Sequence, residues 1–337
     1  MKKFNQKKFI RNMLRLVSLG LAVWAIVMLV SFITSIRPPE GNKTLNIVDQ
    51  VSNDIDDIPG RTDTSGQSSN SQPEERSYTF LVAAKDKVAD NTDTIMLVKL
   101  DLGKKEINIL HIPRDTMLDT NRKVKKVNSS YQVGGIELFE KDVASLTGFF
   151  VNRYVLFDIE GVEKAVDAIG GVYFDVPQDM KYYDPTQNLS INIKKGYQHL
   201  TGEQVVKVAR YRSGYFNGDI GRIEVQQKLI KALAKQALKP ENILRIPEIV
   251  GIIMDNVETD IDLGNMIWLA NQVKDFSLDN IHTYMLPGID ATIDGLSYWL
   301  PYKNELLELI NDKFNPLDTP ITDEDVSIVE YPINKGK

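Results

Sequence analysis

Between Val205 and Leu229 the chain places Arg210, Arg212 and Arg222 around Asp219, in a glycine-broken loop that separates two helical patterns. In an extended Arg210-Tyr211-Arg212 run, successive side chains point to opposite faces, so the two arginines share a side and Tyr211 faces away. Arg222 and Gln226 are four apart and share a helix face just after the helix begins, where free backbone N–H groups also favour an anion. Like charges about 8 Å apart, at an effective dielectric of about 20, repel by roughly 2 kcal/mol, so the cluster calls for a polyanion. Planar guanidinium forks match phosphate oxygens better than ammonium groups do. The stretch reads as a candidate anion cradle. The competing reading is a solvated basic helix end paired with nearby acids.

A second group depends on strands to bring it together. Tyr78–Ala84 reads as a short apolar strand, and Asp93 opens DTIMLVKLDL, a strand covered on both faces. A third strand, Glu106–Ile112, stops at Pro113 and delivers Arg114, Asp115 and Thr116 into a loop. Asp86, Asp93 and Arg114 therefore sit at strand ends that can converge, where α/β sheets usually bind ligands.

The remaining pattern alternates. A helix is predicted over Ile136–Leu146, a strand over Arg153–Asp158, a helix over Glu160–Ile169 closed by Gly170-Gly171, and a strand over Val172–Val176. Residues Asp179–Ile193 are polar and receive no assignment. Thr201 with Gln204 forms a capping box for a helix through Ala209. An amphipathic helix from Ile220 to Leu238 buries Ile223, Leu229, Ile230, Leu233 and Ala237. Helices at Leu263–Lys274 and Tyr302–Lys313 and a last strand at Ile281–Leu286 complete one α/β layered domain over residues 77–315, followed by a loose tail at 316–337.

Composition removes several chemistries. The 337 residues carry a net charge of −6, so no global basic excess points to nucleic acid, and the absence of cysteine excludes thiol nucleophiles and cysteine-held metals. The three histidines, His111, His199 and His282, lie far apart in sequence and read as packing or surface residues. Residues 1–15 form a basic N-terminus, and 16–33 are apolar without a charge. That run covers about 27 Å as a helix, enough for a single membrane-spanning anchor, and the flanking charge orients the N-terminus to the cytoplasm. Residues 34–76 shift to Asp, Ser, Asn, Gln, Gly and Pro and read as a flexible extracytoplasmic linker.

DTIMLVKLD, HIPRDT, KVNSSYQVGG, DAIGGVYFDVP, KGYQHLTGEQVVKVARYR and GDIGRIEVQQ follow one another in that order, with DNVETDIDL and MLPG later. The series resembles the LytR-CpsA-Psr family. The resemblance implies a three-layer α/β/α fold with a central mixed sheet, behind one N-terminal transmembrane helix in the cell membrane of a thick-walled bacterium. It implies a phosphotransferase that moves a glycopolymer, such as wall teichoic acid or capsule, from a polyprenyl pyrophosphate carrier to peptidoglycan, with magnesium or manganese as cofactor. By position it implies that Arg114, Arg210, Arg212, Arg222 and Gln226 bind the pyrophosphate and that Asp86 and Asp93 hold the metal. Asp219 supports the arginines, and Asp93, Arg114, Arg212 and Asp219 form the catalytic set.

The sequence departs from the family pattern twice. Ala84 stands where a glycine usually precedes the first acid by two residues, and Asn91 stands where an arginine usually precedes the Asp-Thr pair. Lys85 is the nearest substitute cation, as a point charge on a flexible stem. Two alternatives to transfer follow: a non-catalytic or regulatory binder of polyprenyl-phosphate-linked glycans, and a membrane-tethered pyrophosphatase.

Overall fold

The computed structural model describes residues 35–39, 77–85, 91–185, 189–211, 213–215 and 219–329, with the side chains of Asp93, Asp219 and Ile220 outside that set. The predicted anchor at 16–33, Asp86 and Arg212 lie outside the described residues. Among the described residues no helix is long and apolar enough to cross a membrane.

Apolar residues alternating along the first three strands build the centre of the molecule. β1 (Ser77–Lys85), β2 (Thr92–Asp101) and β3 (Glu106–Ile112) pair antiparallel in sequence order. They join β4 (Arg153–Phe157), β9 (Val257–Thr259) and β10 (Ile281–Met285) in a mixed sheet of order β10-β3-β2-β1-β4-β9. On one face Leu81, Ala83, Ile95, Leu97, Leu110 and Ile112 meet Phe139, Val143 and Leu146 of helix α1 (Ser130–Thr147). The opposite face, through Phe80, Val82, Val98 and Leu100, meets Trp268 and Leu269 of a later helix. A sheet buried on both sides explains why β2 reads as a nearly continuous apolar run.

Helix α2 (Ile159–Ala168) is capped by Asp158, and Gly170 and Gly171 beyond it take φ of 85° and 70°. A Cβ on Gly171 would also lie 2.6 Å from the Leu200 carbonyl oxygen, so the pair is fixed by backbone conformation and by close approach. β5 (Val172–Val176) pairs with β8 (Gly196–Leu200). The unassigned polar segment is a hairpin of β6 (Met180–Asp184) and β7 (Leu189–Ile193), which buries Met180, Leu189, Ile191 and Ile193. These two ribbons form a second core with α3 (Gly202–Arg210) and α4 (Asp219–Ala237).

The chain continues through α5 (Pro240–Ile243), α6 (Ile246–Met254) and α7 (Leu263–Val273), then a β11 (Gly288–Ile293) and β12 (Leu296–Pro301) hairpin, and α8 (Lys303–Leu309). Ile281–Met285 is therefore not the last strand. The hairpin turns at Asp294-Gly295, both at positive φ.

Two expectations about the ends are corrected. Ile321 and Ile328, placed in a loose tail by sequence, are buried in the main core, and Ser327 N donates to Ser145 O at 2.7 Å. Residues 35–39, assigned to the linker, lie on the first turn of α7. The Asn265 Nδ2 donates to Arg37 O at 2.8 Å, Pro39 is buried, and a Cβ on Gly264 would sit 1.9 Å from Ser35 O.

Candidate functional site

β3 ends beside the start of β2, since Ile112 pairs with Ile95. The turn that follows is tied down: Thr116 N and Oγ1 both donate to Pro113 O, and Asn128 N donates to Arg114 O at 3.1 Å. Arg114 is thereby held at the sheet end. Its Nε is 3.9 Å from Asp115, whose other carboxylate oxygen accepts from Lys126 at 2.9 Å. Lys126 is thus the nearer of these two cations to Asp115.

Arg222 and Gln226 reach the same place from the first turns of α4. With Thr94, Ile95, His111, Ile112, Pro113 and Ile223 they line one narrow cleft together with Arg114. Arg222 is 4% exposed and Gln226 8%. Gln226 is also structural, because its Nε2 donates to Ala209 O at 3.0 Å and so fastens α4 to the end of α3.

The extended Arg-Tyr-Arg geometry is corrected at its first residue. Arg210 is the last residue of α3, and the chain becomes extended only at Tyr211, with φ −67° and ψ 127°. Tyr211 is buried in the second core. Arg210 does not line the cleft; it stands one residue beyond the carbonyl that Gln226 holds. Tyr215 follows, edge-on to Tyr211 at 5.7 Å, and its hydroxyl is buried with no hydrogen-bond partner among the described residues. Burial, reinforced by Tyr211, pushes that phenol up to about 12 against the opposing pull of Arg222.

On the acid side, backbone geometry is informative. Ala84 pairs with Thr94 and Lys85 with Thr92, so Asp93 is the residue skipped where the register shifts. Bulges of this kind mark strand ends and active sites. Among the described residues no group of three or more His, Asp or Glu is placed to hold a metal. Asp93 lies at the start of β2, so its backbone belongs to the sheet end that carries Arg114.

Lys85 does not replace the arginine missing at Asn91. Its Nζ lies 2.8 Å from Glu258 Oε2 and 3.2 Å from the Tyr131 hydroxyl, and that hydroxyl donates to the same carboxylate at 2.9 Å. Burial acts to lower the lysine pKa, but the bonds to Glu258 and Tyr131 outweigh it and leave it raised.

His111 is a site residue that sequence reasoning sets aside. It is 3% exposed and lines the cleft. The available signal was its place inside HIPRDT, alternating with Leu110 and Ile112, which face the main core.

A family model described as the LytR_cpsA_psr family matches residues 45–315. The chain is 31% identical over 204 residues to the Polyisoprenyl-teichoic acid--peptidoglycan teichoic acid transferase TagV of Bacillus subtilis, covering 59% of this chain and 52% of TagV. It is 27% identical over 233 residues to Biofilm regulatory protein A of Streptococcus mutans, covering 66% of this chain and 57% of that protein. The crystal structure of TagV superposes with a TM-score of 0.62 at 27% identity, over 71% of this chain and 96% of that one. The matched stretch thus spans little more than half the length of these curated relatives. A mixed sheet with helices on both faces, an arginine cleft at its end and a family model across most of the sequence lead to one conclusion: the chain belongs to the LytR-CpsA-Psr family.

Proposed function

We propose that the protein is a membrane-anchored phosphotransferase that works outside the cell. It takes a glycopolymer phosphate from a polyprenyl pyrophosphate carrier and attaches it to a peptidoglycan hydroxyl through a phosphodiester. The observation that carries this reading is the meeting of Arg114 and Arg222, from a strand end and a distant helix, in one cleft with Gln226. A guanidinium 4% exposed, near a second one, suits an anion with several oxygens. The TagV name supplies the substrate class.

Attack of a sugar hydroxyl on phosphorus spreads negative charge over the nonbridging and leaving oxygens, so catalysis rests on positioning and neutralisation. Arg114 and Arg222 bind those oxygens, and the family resemblance assigns Arg210 and Arg212 to the same anion. Asp93 or Asp219 takes the acceptor's proton. Asp86 and Asp93, the two acids that the family resemblance assigns to the metal, are hard oxygen donors of the kind magnesium or manganese takes. Such an ion, when bound, supplies further neutralisation of the diphosphate oxygens.

The commitment of Lys85 to Glu258 favours a second reading, a regulatory binder of the same lipid-linked glycan, because Lys85 does not take over from the arginine missing at Asn91. The full chain in detergent, given a short-chain polyprenyl diphosphate glycan, divalent metal and peptidoglycan oligomer, separates the two. Glycan joined to peptidoglycan supports transfer; released phosphate alone means hydrolysis; retention of intact lipid means a binder.

A further inference from the structure

The cleft between Arg114 and Arg222 contains a side chain to which phosphate gripping by arginine gives no task. His111 stands on β3 with 3% exposure, and its Nε2 is buried with no hydrogen-bond partner among the described residues. Buried polar atoms in folded proteins are paired as a rule, so an orphan in a ligand cleft points to a partner that arrives with the ligand. The cleft has room for about one water-sized atom, the size of a single phosphate oxygen.

We propose that His111 is a substrate-contacting residue whose neutral Nε2–H donates a hydrogen bond to one nonbridging oxygen of the diphosphate held by Arg114 and Arg222. The inference rests on the function proposed above and extends it to a residue outside the arginine set. Phosphate oxygens at neutral pH accept hydrogen bonds, so the ligand selects the tautomer with its proton on Nε2. A neutral donor adds a bond without adding repulsion beside two guanidinium groups. Desolvation lowers the imidazole to about 4, which keeps it uncharged at neutral pH. That value also makes it a poor general base, since such a base works best with a pKa near the operating pH.

The test uses the full chain in detergent micelles, labelled with nitrogen-15 at its three histidines, with farnesyl diphosphate and magnesium as the probe. His111→Gln identifies the resonance by its loss. Farnesyl diphosphate is expected to move the His111 imidazole signals to those of an Nε2–H tautomer in a hydrogen bond. His111→Leu is expected to weaken binding about tenfold, and His111→Gln, which keeps a neutral donor, by about threefold or less. The titration of the unaltered protein decides the matter even where a variant fails to fold. Binding with an unmoved His111 signal means that the cleft holds only water, and overturns this inference. So does binding that is lost in Arg114→Ala but unchanged in both His111 variants. Either outcome leaves the arginine site standing. Failure of the unaltered protein to bind farnesyl diphosphate overturns the phosphate site and this inference together.

Discussion

Lys85, at the end of β1, closes an ion pair of 2.8 Å with Glu258 on the sheet's edge strand, β9. The two side chains are 22% and 42% exposed, so solvent screening limits the pair to ~1 kcal/mol. Burial acts to raise the Glu258 carboxyl, but its bonds to Lys85 and Tyr131 hold it below the usual range, while Lys85 is raised above its own. The carboxylate's contribution is therefore lost as pH falls through the folded value of Glu258. The lysine's is lost as pH rises through the folded value of Lys85. Glu258→Gln should lower stability by ~1 kcal/mol at pH 7 and by much less near pH 3, as read by urea unfolding at the two pH values. If Lys85 instead gripped phosphate, Lys85→Ala would abolish diphosphate binding; we expect binding to be retained.

Arg114 and Arg222 converge on the same cleft, so loss of either removes a donor aimed at developing charge. Arg114→Ala and Arg222→Ala should each lower the transfer rate by about 10²- to 10³-fold. Arg212→Ala is expected to do the same if the arginine set acts as a unit. Single-turnover assays with a lipid-linked glycan measure this, and near-normal rates in all three would remove the phosphate cradle.

Gln226 joins two functions through one amide. Gln226→Leu leaves the Ala209 carbonyl without its donor and should cost ~1–3 kcal/mol in urea unfolding. It should also weaken diphosphate binding, because the end of α3 bearing Arg210 is no longer fastened to α4. Binding unchanged alongside lower stability would show that Gln226 is structural alone.

Glu140 gives a pH dependence of the opposite sign to Glu258. Burial, with the nearby charges of Asp260 and Glu137, raises its carboxyl to about 7. The native state thus keeps a proton that the unfolded chain has lost, and stability falls as pH rises from about 4.5 to about 7. Glu140→Gln should be nearly neutral at pH 5 and stabilising by ~1–3 kcal/mol at pH 8.

Gly221 faces the ring of Tyr215. A Cβ added there would lie 2.8 Å from Tyr215 Cβ, so Gly221→Ala must push Tyr215 off the first turn of α4. The expected cost is ~1–3 kcal/mol, with an accompanying change in the tyrosine absorbance. An unshifted melting temperature would mean that the loop yields freely.

The features visible in sequence are those with a local cause. The Thr201/Gln204 capping box, the Gly170-Gly171 stop and the strand patterns of β1 to β3 appear within a residue or two of their predicted places. The β6/β7 hairpin is hidden because Tyr182 and Tyr183 are exposed, which masks the inward alternation of Leu189, Ile191 and Ile193. The β11/β12 hairpin carries an Asp-Gly turn signal, and ending the sheet at Leu286 passes over it. In the site, residue type reveals the guanidinium groups. Type cannot reveal that Lys85 is spoken for by Glu258, since that follows from a partner far away in sequence. His111 is missed for the same reason: burial and an orphaned nitrogen are properties of the fold.

The seat of residues 35–39 on α7 changes how the whole molecule would stand. With an anchor at 16–33, the folded body would meet the bilayer almost at the point where the anchor ends, through a stem rather than a leash. The α7 side would then face the membrane, and the cleft between Arg114 and Arg222 would keep a fixed bearing towards it.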